Sequence, residues 1–344
     1  MAMITPFERV GFALVGLGDI SQTAILPAFR RSKKAKLIDL VSGDNEKAER
    51  LAKQFGVNSH HTYRDYAGVL NNPQVEAIFI ATPPGVREQF TVRAAKAGKH
   101  VLCEKPLAAT AKQCQHMVSA CRSNHVLLMT AYRKYFDPAT LALKDLISKG
   151  GLGRIDVVHT LFTEFRSPNG QTPAWLLSRK LGGGPLRDDG VYCVNTCRWL
   201  IGEDPVEATA SAWTFDRKRF KEVEEGIVFC LTFPSGVRLQ GTASFGAALS
   251  SFVHVHGQKG WAALAPAFAF EEERRFFGKT SAQWFQRIFK RSDEFFLEID
   301  EFADCIQSER EPEPSGEQGM RDLVIIEAIY SAAREQRAVR IKIP

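Results

Sequence analysis

Lys105 and Tyr192 are the residues of this chain best suited to move a proton on and off an oxygen. Lys105 lies in Glu104-Lys105-Pro106. Tyr192 ends a run that opens Gly182-Gly183-Gly184-Pro185 and continues Leu186-Arg187-Asp188-Asp189-Gly190-Val191. A free phenol titrates near ~10 and is a poor base at neutral pH, but a neighbouring ammonium favours the phenolate. As a pair, Tyr192 would exchange the substrate proton while Lys105 tunes it or holds the substrate oxygen. Asp188 could orient Lys105 or bind a hydroxyl. As the polar residue before an apolar run, it also reads as the N-cap of a helix. Counted from that cap, Tyr192, Asn195 and Trp199 fall at helical steps and line one face with Asp188.

Chemistry at a carbon-bound oxygen also needs a place for two electrons. Phe12-Ala13-Leu14-Val15-Gly16-Leu17-Gly18-Asp19-Ile20-Ser21 is an apolar strand followed by GxGxx, with Ser21 in the third glycine's place. Glycines there permit a tight turn and a close approach of backbone to a pyrophosphate, which then rests on the next helix's N-terminus. NAD sites usually place an acid at the tip of the second strand, facing the ribose 2′-hydroxyl. Here the tip is Ser42 and Gly43, with Lys47 one turn on, a set that suits a 2′-phosphate. The expected cofactor is NADP, with NAD as the other candidate. Asp44 is the residue against this preference, and Asp39 lies inside the strand.

These residues need two different scaffolds to position them. Up to about residue 130, short apolar runs at 12–15, 36–41, 77–81, 101–103 and 126–129 alternate with helical patterns at 20–31, 45–55, 86–97 and 111–123. Strands alternating with helices form a doubly wound parallel sheet of Rossmann type. Pro27 should kink or shorten the first helix. Beyond residue 150 the pattern becomes alternating strands at 154–166, 205–215, 226–233, 237–244 and 252–257, with a hairpin turn at Phe233-Pro234-Ser235-Gly236-Val237. Two late helices follow at 293–308 and 316–335. The expected fold class is α/β: a dinucleotide domain over residues 1–131, then an α+β domain over 132–344 with an open, mostly antiparallel sheet.

Composition narrows the function. With 344 residues, 44% hydrophobic and 24% charged, the chain is an ordinary globular one of two-domain length. The net charge of +6 is scattered apart from one local cluster at Arg30, Arg31, Lys33, Lys34 and Lys36, which reads as a solvated face and not a nucleic-acid site. No apolar run reaches the length of a membrane span. Met1 to Arg9 has no leader pattern. Arg287-Ile288-Phe289-Lys290-Arg291, after Trp284-Phe285, is basic and aromatic, and reads as a segment that packs its rings and solvates its charges. The seven cysteines are odd in number, lack a CxxC and complete no zinc set, so they read as reduced thiols without a metal.

The Gly-rich turn, Ala81-Thr82-Pro83-Pro84, Glu104-Lys105-Pro106 and Gly182-Gly183-Gly184…Asp188…Gly190…Tyr192 occur together and in order. This combination resembles the glucose–fructose oxidoreductase/inositol dehydrogenase/MocA family over nearly the whole chain. Tyr192, with Ala131-Tyr132-Arg133 and Asn195-Thr196-Cys197-Arg198, is similar to its glucose–fructose oxidoreductase and NADP-dependent xylose or dihydrodiol dehydrogenase branch. The resemblance implies oxidation or reduction of a sugar or related carbonyl compound. It implies dinucleotide contacts at Gly16, Gly18, Asp19 and Ile20, at Ser42, Gly43 and Lys47, at Thr82 and Pro83, and at Glu104 and Lys105. It makes Lys105, Asp188 and Tyr192 the catalytic set. Arg133, at the end of a parallel strand, could touch the substrate or the cofactor, or simply pair with an acid. The chain departs from the family pattern at Arg87, where a histidine near the ribose is usual, and at Asp189, where an apolar residue is usual. It also lacks a twin-arginine leader, which argues for the cytoplasm. A homodimer or homotetramer is expected, because the open sheet should leave an apolar face around Val228-Phe229-Cys230-Leu231. A dihydrodiol-type dehydrogenase and a non-catalytic sugar or nucleotide sensor are the alternatives; a sensor would be expected to have lost Lys105 or Tyr192.

Overall fold

The alternation of the first part of the chain builds six parallel strands. In the computed structural model, which describes residues 9–168, 172–269 and 272–343, these are β1 (Val10–Val15), β2 (Ala35–Ser42), β3 (Ser59–Thr62), β4 (Ala77–Ile80), β5 (His100–Glu104) and β6 (Leu128–Ala131). Their order is β3-β2-β1-β4-β5-β6, with every pair parallel. Helices α1 (Leu26–Arg31), α2 (Asn45–Phe55), α3 (Tyr66–Leu70), α4 (Arg87–Lys96) and α5 (Ala111–Ser123) connect them. β1 and β4 are buried along their whole length, as strands covered on both faces must be. The strand order reverses beside β1, and this is where α/β sheets of this kind bind nucleotides. Residues Met1 to Glu8, where a leader was sought in the sequence, lie outside the described residues.

The later part forms α6 (Pro138–Ser148), α7 (Val191–Ile201), α8 (Glu294–Gln307), α9 (Gly316–Glu335) and a second sheet. Its strands are β7 (Ile155–Thr163), β8 (Glu207–Trp213), β9 (Gly226–Thr232), β10 (Arg238–Ser244), β11 (Ser250–Gly257), β12 (Gly260–Ala265), β13 (Arg274–Thr280), β14 (Trp284–Phe289) and β15 (Val339–Arg340). The order is β14-β13-β12-β11-β7-β10-β9-β8-β15. β7 and β10 pair in parallel and every other neighbouring pair is antiparallel. The β9–β10 turn is the expected hairpin, with Gly236 at φ +91° and the Phe233 amide donating to the Val237 carbonyl at 3.0 Å. On β9, Ile227, Phe229 and Leu231 are buried, while Val228 and Cys230 point to a half-open face.

The chain divides into two compact units. The first takes the described residues of Met1–Leu107, with Lys112–Arg133 and Asp293–Gln318; the second takes Ala108–Ala111, Lys134–Ser292 and Gly319–Pro344 as far as described. A single division at 131/132 differs from this chiefly in the segment that carries α8. The apolar side of that helix explains its return: Phe295, Ile299, Phe302 and Ala303 are buried, and Phe302 meets Phe12 of β1 edge-on at 6.3 Å. Ser32 donates to Asp300 of the same helix.

Candidate active site

The Gly-rich turn is built as its sequence requires. Gly16 has φ +98°, and a Cβ there would come within 2.8–2.9 Å of the Ala81 carbonyl and the Thr82 nitrogen. Ser21 replaces the third glycine without loss, because its hydroxyl donates to the Gly16 carbonyl at 2.7 Å. The chain is helical from Asp19, passes through a π turn at Ser21–Ile25 and continues as α1. Pro27, in the first turn of α1, has no N–H to give its preceding turn, so the helix widens just before it, where a kink was expected. Gly18 and Asp19 are exposed, and a Cβ at Gly18 would meet nothing within 4 Å. Ser42 is buried with its hydroxyl accepting from the Asp44 amide at 3.1 Å. Asp44 caps α2 by accepting from the Lys47 amide at 2.9 Å, and its carboxylate lies 3.8 Å from the half-exposed Lys47 ammonium. Asp39 is buried inside β2 and accepts from Asn72 at 3.1 Å, which gives it a structural role. The buried Thr82 hydroxyl has no partner among the described residues. Open space at Gly18, an unmatched hydroxyl at Thr82 and a lysine in the first turn of α2 fit a phosphorylated dinucleotide.

Glu104 and Lys105 follow at the end of β5, in the same unit. The Glu104 carboxylate accepts from the Lys105 amide at 3.1 Å, and Lys105 is half-buried. Burial raises the pKa of Glu104, with Lys105, Arg87 and Arg133 pulling it down. Arg87 is 4% exposed; its Nε donates to the Thr82 carbonyl at 2.7 Å and its Nη1 donates to the carbonyls of Glu104 and Pro106. Arg133, an expected substrate residue, is buried and donates to Glu294 at 2.5 Å, which is the acid pairing its sequence position left open. Glu298, one turn along α8, is fully buried, and neither carboxyl oxygen has a hydrogen-bond partner among the described residues.

Asp188 and Tyr192 belong to the second unit. The expectation that Asp188 caps a helix is corrected. The chain is already helical at Pro185, and Asp188 falls inside a π turn at Leu186–Gly190 that leads into α7. Pro185 at the helix start was the better signal, since proline there forgoes only an amide that has no helical partner. Gly183 is required just before it, because a Cβ would sit 2.3 Å from the Leu176 carbonyl. The wider turn breaks the even spacing counted from Asp188, and the four residues expected on one face have four settings. Asp188 accepts from Arg166 at 3.3 Å. Tyr192, 6% exposed, lies with its ring centroid 5.9 Å from Phe162 and 5.8 Å from Phe268. Asn195 donates to Asp322 at 2.8 Å, and Trp199 stacks on Tyr135 at 4.3 Å. Asp189, the second departure from the family pattern, is buried in the same π turn. Arg166 carries no sequence motif and was missed; it bridges Glu164 at 2.8 Å and Asp188, and lies over the Phe245 ring.

A Rossmann unit with a phosphate-ready turn, joined to a second unit carrying a partly enclosed tyrosine, defines a dinucleotide-dependent oxidoreductase. Residues 10–132 match the oxidoreductase family with an NAD-binding Rossmann fold, and residues 140–263 match the C-terminal domain of the same family. The chain belongs to the glucose–fructose oxidoreductase/inositol dehydrogenase/MocA family. It is 31% identical over 335 residues to D-xylose 1-dehydrogenase [NADP(+)] of Haloarcula marismortui, covering 96% of this chain and 93% of the relative. It is 29% identical to trans-1,2-dihydrobenzene-1,2-diol dehydrogenase of Bos taurus over 74% of this chain and 73% of that one. The crystal structure of aldose–aldose oxidoreductase from Caulobacter crescentus with glycerol superposes with a TM-score of 0.92 at 35% identity, covering 97% of this chain and all of that one. Among the described residues, no helix is long and apolar enough to cross a membrane.

Proposed function

We propose that the protein is an NADP-dependent oxidoreductase of aldoses or closely related hydroxy and carbonyl compounds, with Tyr192 as acid/base and Lys105 assisting. The observation that carries this reading is the setting of Tyr192: a nearly buried phenol packed against the mutually stacked rings of Phe162 and Phe268, one turn beyond an aspartate that an arginine orients. When bound, the nicotinamide supplies the two-electron acceptor or donor. The chain's own residues do the rest. Gly16, Gly18, Asp19 and Ile20 would hold the diphosphate at the helix start. Ser42, Gly43 and Lys47 would hold the 2′-phosphate, and Thr82, Pro83 and Glu104 the remainder. In oxidation, the substrate hydroxyl proton passes to the Tyr192 oxygen as the carbonyl forms, and in reduction it returns. The Lys105 ammonium stabilises the phenolate and the developing oxyanion. Asp188, fixed by Arg166, would bind a neighbouring substrate hydroxyl.

The phenylalanines at Tyr192 and the bovine relative favour one second reading, a dihydrodiol-type dehydrogenase. A panel of aldoses and a trans-dihydrodiol, each with NADP, tests both. Nucleotide reduction with one or more aldoses is expected. Turnover of the dihydrodiol alone would assign the second reading, and binding of NADP without turnover of any substrate would make the protein a sensor.

We further propose that a second copy of the chain covers the half-open sheet face, which mixes apolar residues with His159, Arg238 and Gln240, because a face can pair isologously with its own copy. Val157, Val228 and Cys230 line a depression of about 420 Å³ there, and Trp284 and Ile288 of β14 are 66% and 58% exposed. All seven cysteines are free thiols, which fits the reducing cytoplasm.

A further inference from the structure

We propose that Arg87 is the positioning residue of the Lys105 turn, an inference that rests on the catalytic role proposed for Lys105. Its guanidinium is buried at the start of α4 and donates to three backbone carbonyls. Two of them, Glu104 and Pro106, flank Lys105 on either side in sequence. The carbonyls of the residues before and after the lysine are therefore tied to one guanidinium nitrogen. The third, Thr82, lies in the loop just past the neighbouring β4, so the same guanidinium joins the loop expected at the cofactor to the turn expected at the chemistry.

Arginine suits this arrangement. Its planar fork presents several N–H groups in fixed directions, whereas lysine is a point charge on a flexible stem and histidine offers two ring nitrogens. A buried cation is costly unless it is hydrogen-bonded, and three carbonyls with the Glu104 carboxyl nearby satisfy it. The hydrogen bonds of Arg87 Nε and Nη1 run to backbone carbonyls. A histidine usual at this position in the family was expected near the ribose; the arginine is turned inward, and its effect reaches the reaction through where it holds Lys105.

The experiment measures Arg87→Lys in the full-length protein and in a Lys105→Met background, with far-ultraviolet circular dichroism to check the fold. Arg87→Gln keeps two N–H donors and replaces the lysine variant if that one does not fold. Arg87→Lys should lower kcat by about 10–100-fold, the scale of an ångström-sized misplacement, with KM and the NADP Kd changed by less than about threefold. In the Lys105→Met background the same change should cost less than about twofold, because the residue it positions is gone. Equal losses in both backgrounds would reduce Arg87 to general scaffolding. An unchanged kcat would remove its role, and a loss confined to NADP affinity would assign it to the cofactor. Normal turnover by Lys105→Met alone would instead show that the lysine reading itself is wrong, and the Arg87 role would fall with it.

Discussion

The proposed preference for NADP rests, residue by residue, on Asp44 and Lys47. An acid at the tip of β2 would normally argue for a ribose hydroxyl, but the Asp44 carboxylate is occupied as the cap of α2. Lys47 is half-exposed beside it, and Gly43 is exposed with the Tyr63 ring against it, 3.1 Å from where a Cβ would stand. Lys47→Ala should therefore weaken NADP on the order of tenfold, the loss of one charge-assisted hydrogen bond, and leave NAD nearly unchanged. Titration of both nucleotides by fluorescence reads this, and equal losses would show that the lysine does not contact the 2′-phosphate. The Gly-rich turn, Glu104-Lys105-Pro106 and Tyr192 were visible in the sequence because glycine, proline and chemistry-bearing residues sit there in fixed order. Arg166 and Glu298 were not visible, since their significance comes from partners far along the chain.

Elements were legible where one physical signal dominated. The patterns at 45–55, 111–123 and 316–335 became α2, α5 and α9 with the same limits. β3 was missed because Ser59-His60-His61-Thr62 is a polar edge strand with no apolar alternation. α6 was missed although Asp137-Pro138 marks its start, with the Asp137 carboxylate accepting from Thr140 at 3.0 Å. The basic, aromatic stretch after Trp284 is β14, an edge strand whose Phe285 packs on Phe276 at 5.0 Å. The return of α8 could not be read from sequence order, yet it brings Glu298 into the first unit. Burial pushes that carboxyl well above the ordinary range, Glu104 and Glu294 push it further, and Arg133 opposes them. A raised folded-state pKa means that Glu298 contributes stability fully present below the unfolded value near ~4.3 and lost as pH rises toward and through the folded value. Glu298→Gln keeps the shape of the neutral acid and cannot ionise. Its Tm should fall less steeply than the wild type's from acid to alkaline pH, by a few °C; parallel curves in calorimetry would show that Glu298 does not titrate there.

At the scale of the whole molecule, the sheet face carrying Val228 and Cys230 should be covered by a second copy. Light scattering at micromolar concentration should give at least twice the 38.3 kDa chain mass, and a monomer would remove the proposal. The proposed pair draws Lys105 from the first unit and Tyr192 from the second. If the two serve one reaction, they act as a single device, and removing both should cost little more than removing either. The most direct measurement is steady-state turnover of Tyr192→Phe, Lys105→Met and the double variant, each checked for intact NADP binding. The expected result is a loss of about 10²–10⁴-fold for each single variant, with the double variant little worse. Near-normal turnover by Tyr192→Phe would contradict the account and leave the proton to another carrier.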